Sequence, residues 1–87
     1  MKIQKEAMSG TLQSNDCFVR IFPSEQGIEL NLESPVKMQF GSQMEQIILK
    51  TLADQGVDAA RLIVEDRGAL DCTIAARVET AVRRANE

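Results

Sequence analysis

Few side chains in this sequence could act on a substrate, and what is missing narrows the chemistry. There is no histidine, so neither a Ser-His-Asp nor a Cys-His arrangement can be assembled. Two cysteines, Cys17 and Cys72, cannot without histidine complete a common four-ligand zinc site within one chain. Both are read as small core residues. The alternative for Cys72 is a thiol near a helix N-terminus, where a thiolate is stabilised, although it has no partner base. Gly10, Gly27, Gly41, Gly56 and Gly68 are scattered singly and form no phosphate-cradling loop. No pair of carboxylates has surroundings that would split two pKa values, as acid/base catalysis requires. Glu65 and Asp66 are adjacent, but both are expected at a strand end in reach of water. Ser14 leads the cluster Ser14-Asn15-Asp16, all turn formers. By itself it reads as a turn serine, and a turn on a rigid scaffold is a common place for function.

The elements that would position such a turn are legible. Eighty-seven residues make one domain, expected over residues 1–87. At 44% hydrophobic and 26% charged residues the chain has an ordinary globular composition, which sets disorder aside. A net charge of −3 and only three aromatic residues disfavour nucleic-acid binding by a basic face or a stacking platform. No apolar run approaches the ~20 residues that span a bilayer. The first residues lack a signal-peptide stretch, so a cytoplasmic location is expected, with reduced thiols and no membrane partner.

Residues 7–12 alternate weakly, and Cys17–Phe22 is a β-prone run that Pro23 stops; the short polar segment between them predicts a hairpin. Ile28, Leu30 and Leu32 alternate with Glu29, Asn31 and Glu33, which gives a third strand with one wet face. Ser34-Pro35 opens a helix in which Val36, Phe40, Met44, Ile47, Ile48 and Leu52 form one stripe. Gly41 within it is read as letting the sheet come close, and Gly56 as the stop. Arg61–Glu65 has central residues pointing to both faces and is expected inside the sheet or under a helix. A second helix runs from about Ala69 to Ala85, with Leu70, Ile74, Val78 and Val82 repeating every four residues. The order β-β-β-α-β-α predicts an α+β two-layer sandwich: a four-stranded, mostly antiparallel sheet with two helices on one face. The position of the fourth strand in that sheet is left open.

The stretch Asp66-Arg67-Gly68-Ala69-Leu70-Asp71-Cys72-Thr73-Ile74, with Ala75-Ala76-Arg77 behind it and Gln39-Phe40-Gly41 ahead, resembles the acyl carrier (gamma) subunits of citrate lyase. The matching order of elements covers nearly the whole chain. The resemblance implies a non-catalytic carrier subunit of a lyase complex. It implies a prosthetic group, 2'-(5''-phosphoribosyl)-3'-dephospho-coenzyme A, joined by a phosphodiester to a serine of the N-terminal turn. Ser14 fits that placement. Ser9 lies in a strand, Ser24 in another turn, Ser34 at a helix cap and Ser42 inside a helix. The implied work is to shuttle acetyl and citryl thioesters between the larger alpha and beta subunits as citrate is cleaved to acetate and oxaloacetate. A prosthetic-group transferase and an acetate ligase that acetylates the arm are the further partners.

Because the arm is anionic, Asp16 is expected to repel it into water, with Arg20 offsetting part of that charge if it shares the tip's face. The Asp66–Cys72 junction is read structurally, Gly68 turning the chain and Leu70 anchoring the helix. Its other reading is a docking patch of Asp66, Arg67 and Asp71. Ordinary acyl carrier proteins, helical bundles with an Asp-Ser-Leu motif, do not match: the tripeptide is absent and the first third is β-rich. The acyl carrier subunit of malonate decarboxylase is the nearest rival, and an arm-free scaffold or regulatory module is a rival of another class.

Overall fold

The computed structural model describes all 87 residues. The chain runs β1 (Ala7–Gly10), β2 (Cys17–Phe22), β3 (Ile28–Glu33), α1 (Lys37–Asp54), β4 (Ala60–Asp66) and α2 (Asp71–Ala85), the order the sequence predicts. The sheet order is β1-β2-β4-β3. β1 and β2 form the expected antiparallel hairpin, with Ala7 opposite Ile21 and Gly10 opposite Phe18. β4 is inserted between β2 and β3, antiparallel to β2 and parallel to β3. The sheet is therefore mixed. A long helix separates β3 from β4 and carries the chain back along the sheet, so the next strand starts from the same end as the last.

The register decides which face is dry. Ser9, Val19 and Val64 are cross-strand partners in sequence, and Leu32 sits opposite Val64. With Cys17, Ile21, Ala60 and Leu62 they line the buried face. Both helices cover it: Met44, Ile48 and Leu52 from α1, and Ile74, Val78, Ala81, Val82 and Ala85 from α2, join one core cluster with the strand residues. The other face is wet and carries Arg20, which pairs with Glu65 at 3.2 Å.

Helix boundaries and contacts differ from the sequence reading in instructive ways. α1 begins at Lys37 and not at Pro35, and Val36 supplies no side-chain cap. The Ser34 hydroxyl instead accepts from the Val36 N–H at 3.2 Å and donates to Asp66 at 2.8 Å. It closes a local turn and ties that turn to β4. The buried stripe is narrower than the six apolar residues suggest, since Phe40 is 52% exposed. Gly41 does not admit the sheet: a Cβ there would meet Lys37 Cγ of the same helix at 2.9 Å. Gly56 ends α1 as read. Its N–H donates to the Ala53 carbonyl and the Val57 N–H to that of Leu52, with Gly56 at φ 73. This 6→1 and 5→2 pair is the Schellman arrangement, and buried Val57 and Leu52 supply the hydrophobic contact that accompanies it. Leu70 does not anchor α2. It lies just before the helix and is 70% exposed. No helix is long and apolar enough to cross a membrane.

Candidate functional site

Because β2 is antiparallel to β4 and β3 is parallel to it, one end of the sheet collects three segments. They are the β1–β2 connection (residues 11–16), the start of α1, and the junction between β4 and α2. Ser14 is exposed in the first of these. The loop's side-chain hydrogen bonds belong to its neighbours and leave the Ser14 hydroxyl to the outside. The Thr11 hydroxyl donates to Asp16 at 2.7 Å and accepts from the Gln13 N–H at 3.2 Å. The other Asp16 oxygen accepts from the Cys17 N–H at 2.7 Å. Asn15 adopts φ 65, a left-handed conformation that asparagine tolerates. Its N–H donates to the Arg67 carbonyl at 2.7 Å, and the Arg67 N–H donates back to the Asp16 carbonyl at 2.9 Å. The tip is thus fastened along the end of β4.

The strongest fastening comes from α2. Arg77 reaches across and grips Asp16 with two parallel bonds, Nε to Oδ1 at 2.9 Å and Nη2 to Oδ2 at 3.0 Å. Such a fork is both stronger and more directional than a single charge contact. It holds the Asp16 carboxyl down at a pKa of about 2, chiefly through the Arg77 bonds and then the Thr11 bond. Asp16 therefore does not stand as a bare anion beside the tip, contrary to the sequence expectation. Arg20 does not offset its charge either, because it lies on the wet face with Glu65. Arg77 does so, and nothing local in the sequence marks it for that role, since the two residues are 61 positions apart.

The Asp16 shift has a sign that can be checked. A carboxyl whose folded pKa lies below its unfolded value stabilises the fold above the unfolded pKa, and that stabilisation is lost as pH falls through the folded one. Between about pH 4 and pH 2, acid unfolding of the wild type is expected to lose on the order of 1–2 kcal/mol that Asp16→Asn does not lose. Urea midpoints of the two proteins across that range measure the difference.

The junction turns out to be structural at its first residue. Asp66 is fully buried, not at the water's edge as its position suggested. It accepts from the Ser34 hydroxyl at 2.8 Å and from the Ala69 N–H at 2.9 Å, so it ties the starts of both helices to the end of β4. That leaves Arg67 and Asp71 exposed, with Asp71 accepting from Gln43 at 2.9 Å. An open groove of about 530 Å³ lies between α1 and α2 here, lined by Phe40, Met44, Leu70 and Cys72 among others.

The two cysteines part company. Cys17 is buried, and burial pushes its thiol up to about 12. Cys72 is exposed rather than a core residue. Under native conditions iodoacetamide is expected to label Cys72 alone, with Cys17 reacting only after denaturation, as peptide mapping would show.

The chain is thus an α+β sandwich that clamps one short loop and leaves its serine exposed, and the proteins it is similar to are acyl carriers. The family model described as "ACP: Malonate decarboxylase delta subunit (MdcD)" matches residues 4–85. The citrate lyase acyl carrier protein of Treponema denticola is 58% identical over 87 residues, all of this chain and 99% of that one. Citrate lyase acyl carrier protein 2 of Salmonella typhimurium is 53% identical over 88 residues, with 100% of this chain and 91% of the relative covered. The chain belongs to the citrate lyase acyl carrier protein family. A chain of a Pseudomonas malonate decarboxylase hetero-tetramer, crystallised with malonate, shares the fold with a TM-score of 0.76 at 18% identity, covering 98% of this chain and 88% of that one.

Proposed function

We propose that this chain, as a single acyl carrier domain, is the acyl carrier subunit of a citrate lyase and that Ser14 bears its prosthetic group, a phosphoribosyl-dephospho-coenzyme A joined by a phosphodiester. The observation that carries the proposal is the placement of the serines. Of five in the chain, Ser9 is buried in β1, and Ser34 is engaged with Asp66 and Val36. Ser24 accepts from the Gln26 N–H in a turn at the opposite end of the sheet, and Ser42 sits within α1. Only Ser14 combines exposure with a loop tip held in one shape by charge-assisted bonds. A modifying enzyme must reach the hydroxyl, and the attached group must then swing clear of the body.

The surroundings fit such a group. The phosphodiester is anionic, and the carboxylate closest in sequence is neutralised by Arg77. Arg67, whose backbone touches the loop at two points, has a side chain 42% exposed that is shared with Glu65 at 3.9 Å and the Asp66 carbonyl at 3.1 Å. When bound, the group supplies a thiol that carries acetyl and citryl units as thioesters. The protein's contribution is to hold the point of attachment. Tethering converts encounters with the larger subunits into intramolecular ones, with an effective concentration on the order of millimolar for a short flexible tether. On this reading the alpha and beta subunits, the transferase and the acetylating ligase are the partners, the location is cytoplasmic, and neither Cys17 nor Cys72 takes part in turnover.

A carrier for malonate decarboxylase is the second reading, favoured by the description of the matching family model. The relatives at 58% and 53% identity point to citrate lyase instead. The test is the intact mass of the protein isolated from its own cells. The expected result is a coenzyme A-sized increment that maps to the peptide containing Ser14. An unmodified mass, with the large subunits co-purifying and active, would support an arm-free scaffold instead.

A further inference from the structure

We propose that Asp16 and Arg77 are a positioning pair that holds the Ser14 loop in the shape its modifying enzyme recognises, while removing the bare carboxylate an incoming phosphate would otherwise meet. The inference rests on the Ser14 reading and goes beyond it by assigning a role to two residues that bear no prosthetic group.

Three observations carry it. First, the bonds that fix the tip converge on Asp16 and its immediate neighbours, apart from the Gln13 N–H on the Thr11 hydroxyl. The Asp16 carboxylate takes four donors, from Thr11, Cys17 and twice from Arg77, and its carbonyl takes the Arg67 N–H. Second, α2 does not need Arg77 to pack. Ile74, Val78, Ala81, Val82 and Ala85 already seat that helix in the core, whereas the Arg77 side chain lies at the rim, 39% exposed. Ordering a long side chain at a rim costs rotamer entropy. Here the return is a fixed loop. Third, Arg77 lies close along the hairpin end: a Cβ on Gly10, whose first obstacle is the Cys17 carbonyl, would also stand 3.2 Å from Arg77 Cδ.

A pre-ordered loop spares the enzyme the cost of ordering it on binding. Losing the pair should therefore weaken recognition and leave the chemical step alone, so KM for the carrier rises while kcat holds. The experiment uses the full-length unmodified protein, the transferase and the activated phosphoribosyl-dephospho-coenzyme A donor, with initial rates read by intact mass. Arg77→Gln and Asp16→Asn are each expected to raise KM about tenfold with kcat within about twofold of wild type. Their double substitution should be no worse than the worse single one, because the two act as a unit. Arg77→Lys, which keeps the charge but not the fork, should recover part of the loss.

Amide exchange on the same proteins separates positioning from general damage. Residues 12–16 should exchange faster in Arg77→Gln, while β2 and β4 keep their protection. Unchanged KM in both single variants, or a rise matched by loss of protection throughout the sheet, overturns the pair's role and leaves Ser14 standing. A wild-type protein modified on a peptide without Ser14 overturns the Ser14 assignment, and the pair's role with it.

Discussion

Ser14→Ala is expected to fold as the wild type does and to lose carrier function altogether. The side chain is exposed, and the bonds that shape its loop come from Thr11, Asp16, Arg67 and Arg77. Its truncation should change stability by no more than about 0.5 kcal/mol, the usual range for a surface site away from special features. On the proposed attachment the functional loss should be complete, because the group would be joined through this hydroxyl and no weaker substitute for a missing covalent bond exists. Citrate cleavage by the complex reconstituted with Ser14→Ala should fall to the level seen with no carrier, and its intact mass should show no increment after treatment with the transferase. Citrate cleavage that persists in the Ser14→Ala complex would refute the assignment. Cys72→Ser in the same assay should retain full activity, and that outcome would rule out a thiol at the helix start as the acyl acceptor.

The second large effect is expected at Gly10, the last residue of β1. Its φ of 88 lies where a side chain is strained, and a Cβ there would stand 1.9 Å from the Cys17 carbonyl oxygen. That carbonyl accepts the Thr11 N–H at 3.2 Å and closes the hairpin below the Ser14 loop. Alanine at this position cannot be relieved by turning a flexible side chain, because the obstacle is backbone. Gly10→Ala should therefore destabilise the protein by about 3 kcal/mol or more, read as a fall in the urea midpoint at unchanged slope. Because the added carbon also meets Arg77 Cδ, the loop should loosen along with the hairpin. A cost below about 1 kcal/mol would show that the hairpin end shifts freely and that the loop is less firmly fixed than its hydrogen bonds suggest.

The glycine and the serine illustrate how far the sequence could be read. Alternation in Ile28–Leu32 and the four-residue repeat Ile74, Val78, Val82 are local patterns, and each predicted both the element and the face it buries. The helix between β3 and β4 likewise implies that the two strands run the same way, although the sequence reading stopped at a mostly antiparallel sheet. Leu70 and Phe40 continued the apolar repeats but are exposed, Leu70 just before α2 and Phe40 on α1, where both line the open groove between the helices. Asp66 looked like a surface carboxylate and is buried, where beside the local Ala69 N–H it meets the Ser34 hydroxyl, from a segment that only the fold brings to it.

By itself the sequence determined the six elements, their order, the dry side of β3 and the turn that presents Ser14, because periodicity and turn chemistry act over a few residues; in β1 the apolar alternation misled, since Met8 is exposed and Ser9 buried. It also carried the family resemblance. Only the tertiary structure decided that β4 enters between β2 and β3, that Asp16 is held by Arg77, and that Arg20 is spent elsewhere on the wet face. Those outcomes depend on which strand edges meet, and the pairing is chosen by burial of the whole sheet and not by any local segment. The bond between Asp16 and Arg77 exists because the sheet sets the start of β2 against the end of β4, from which α2 departs.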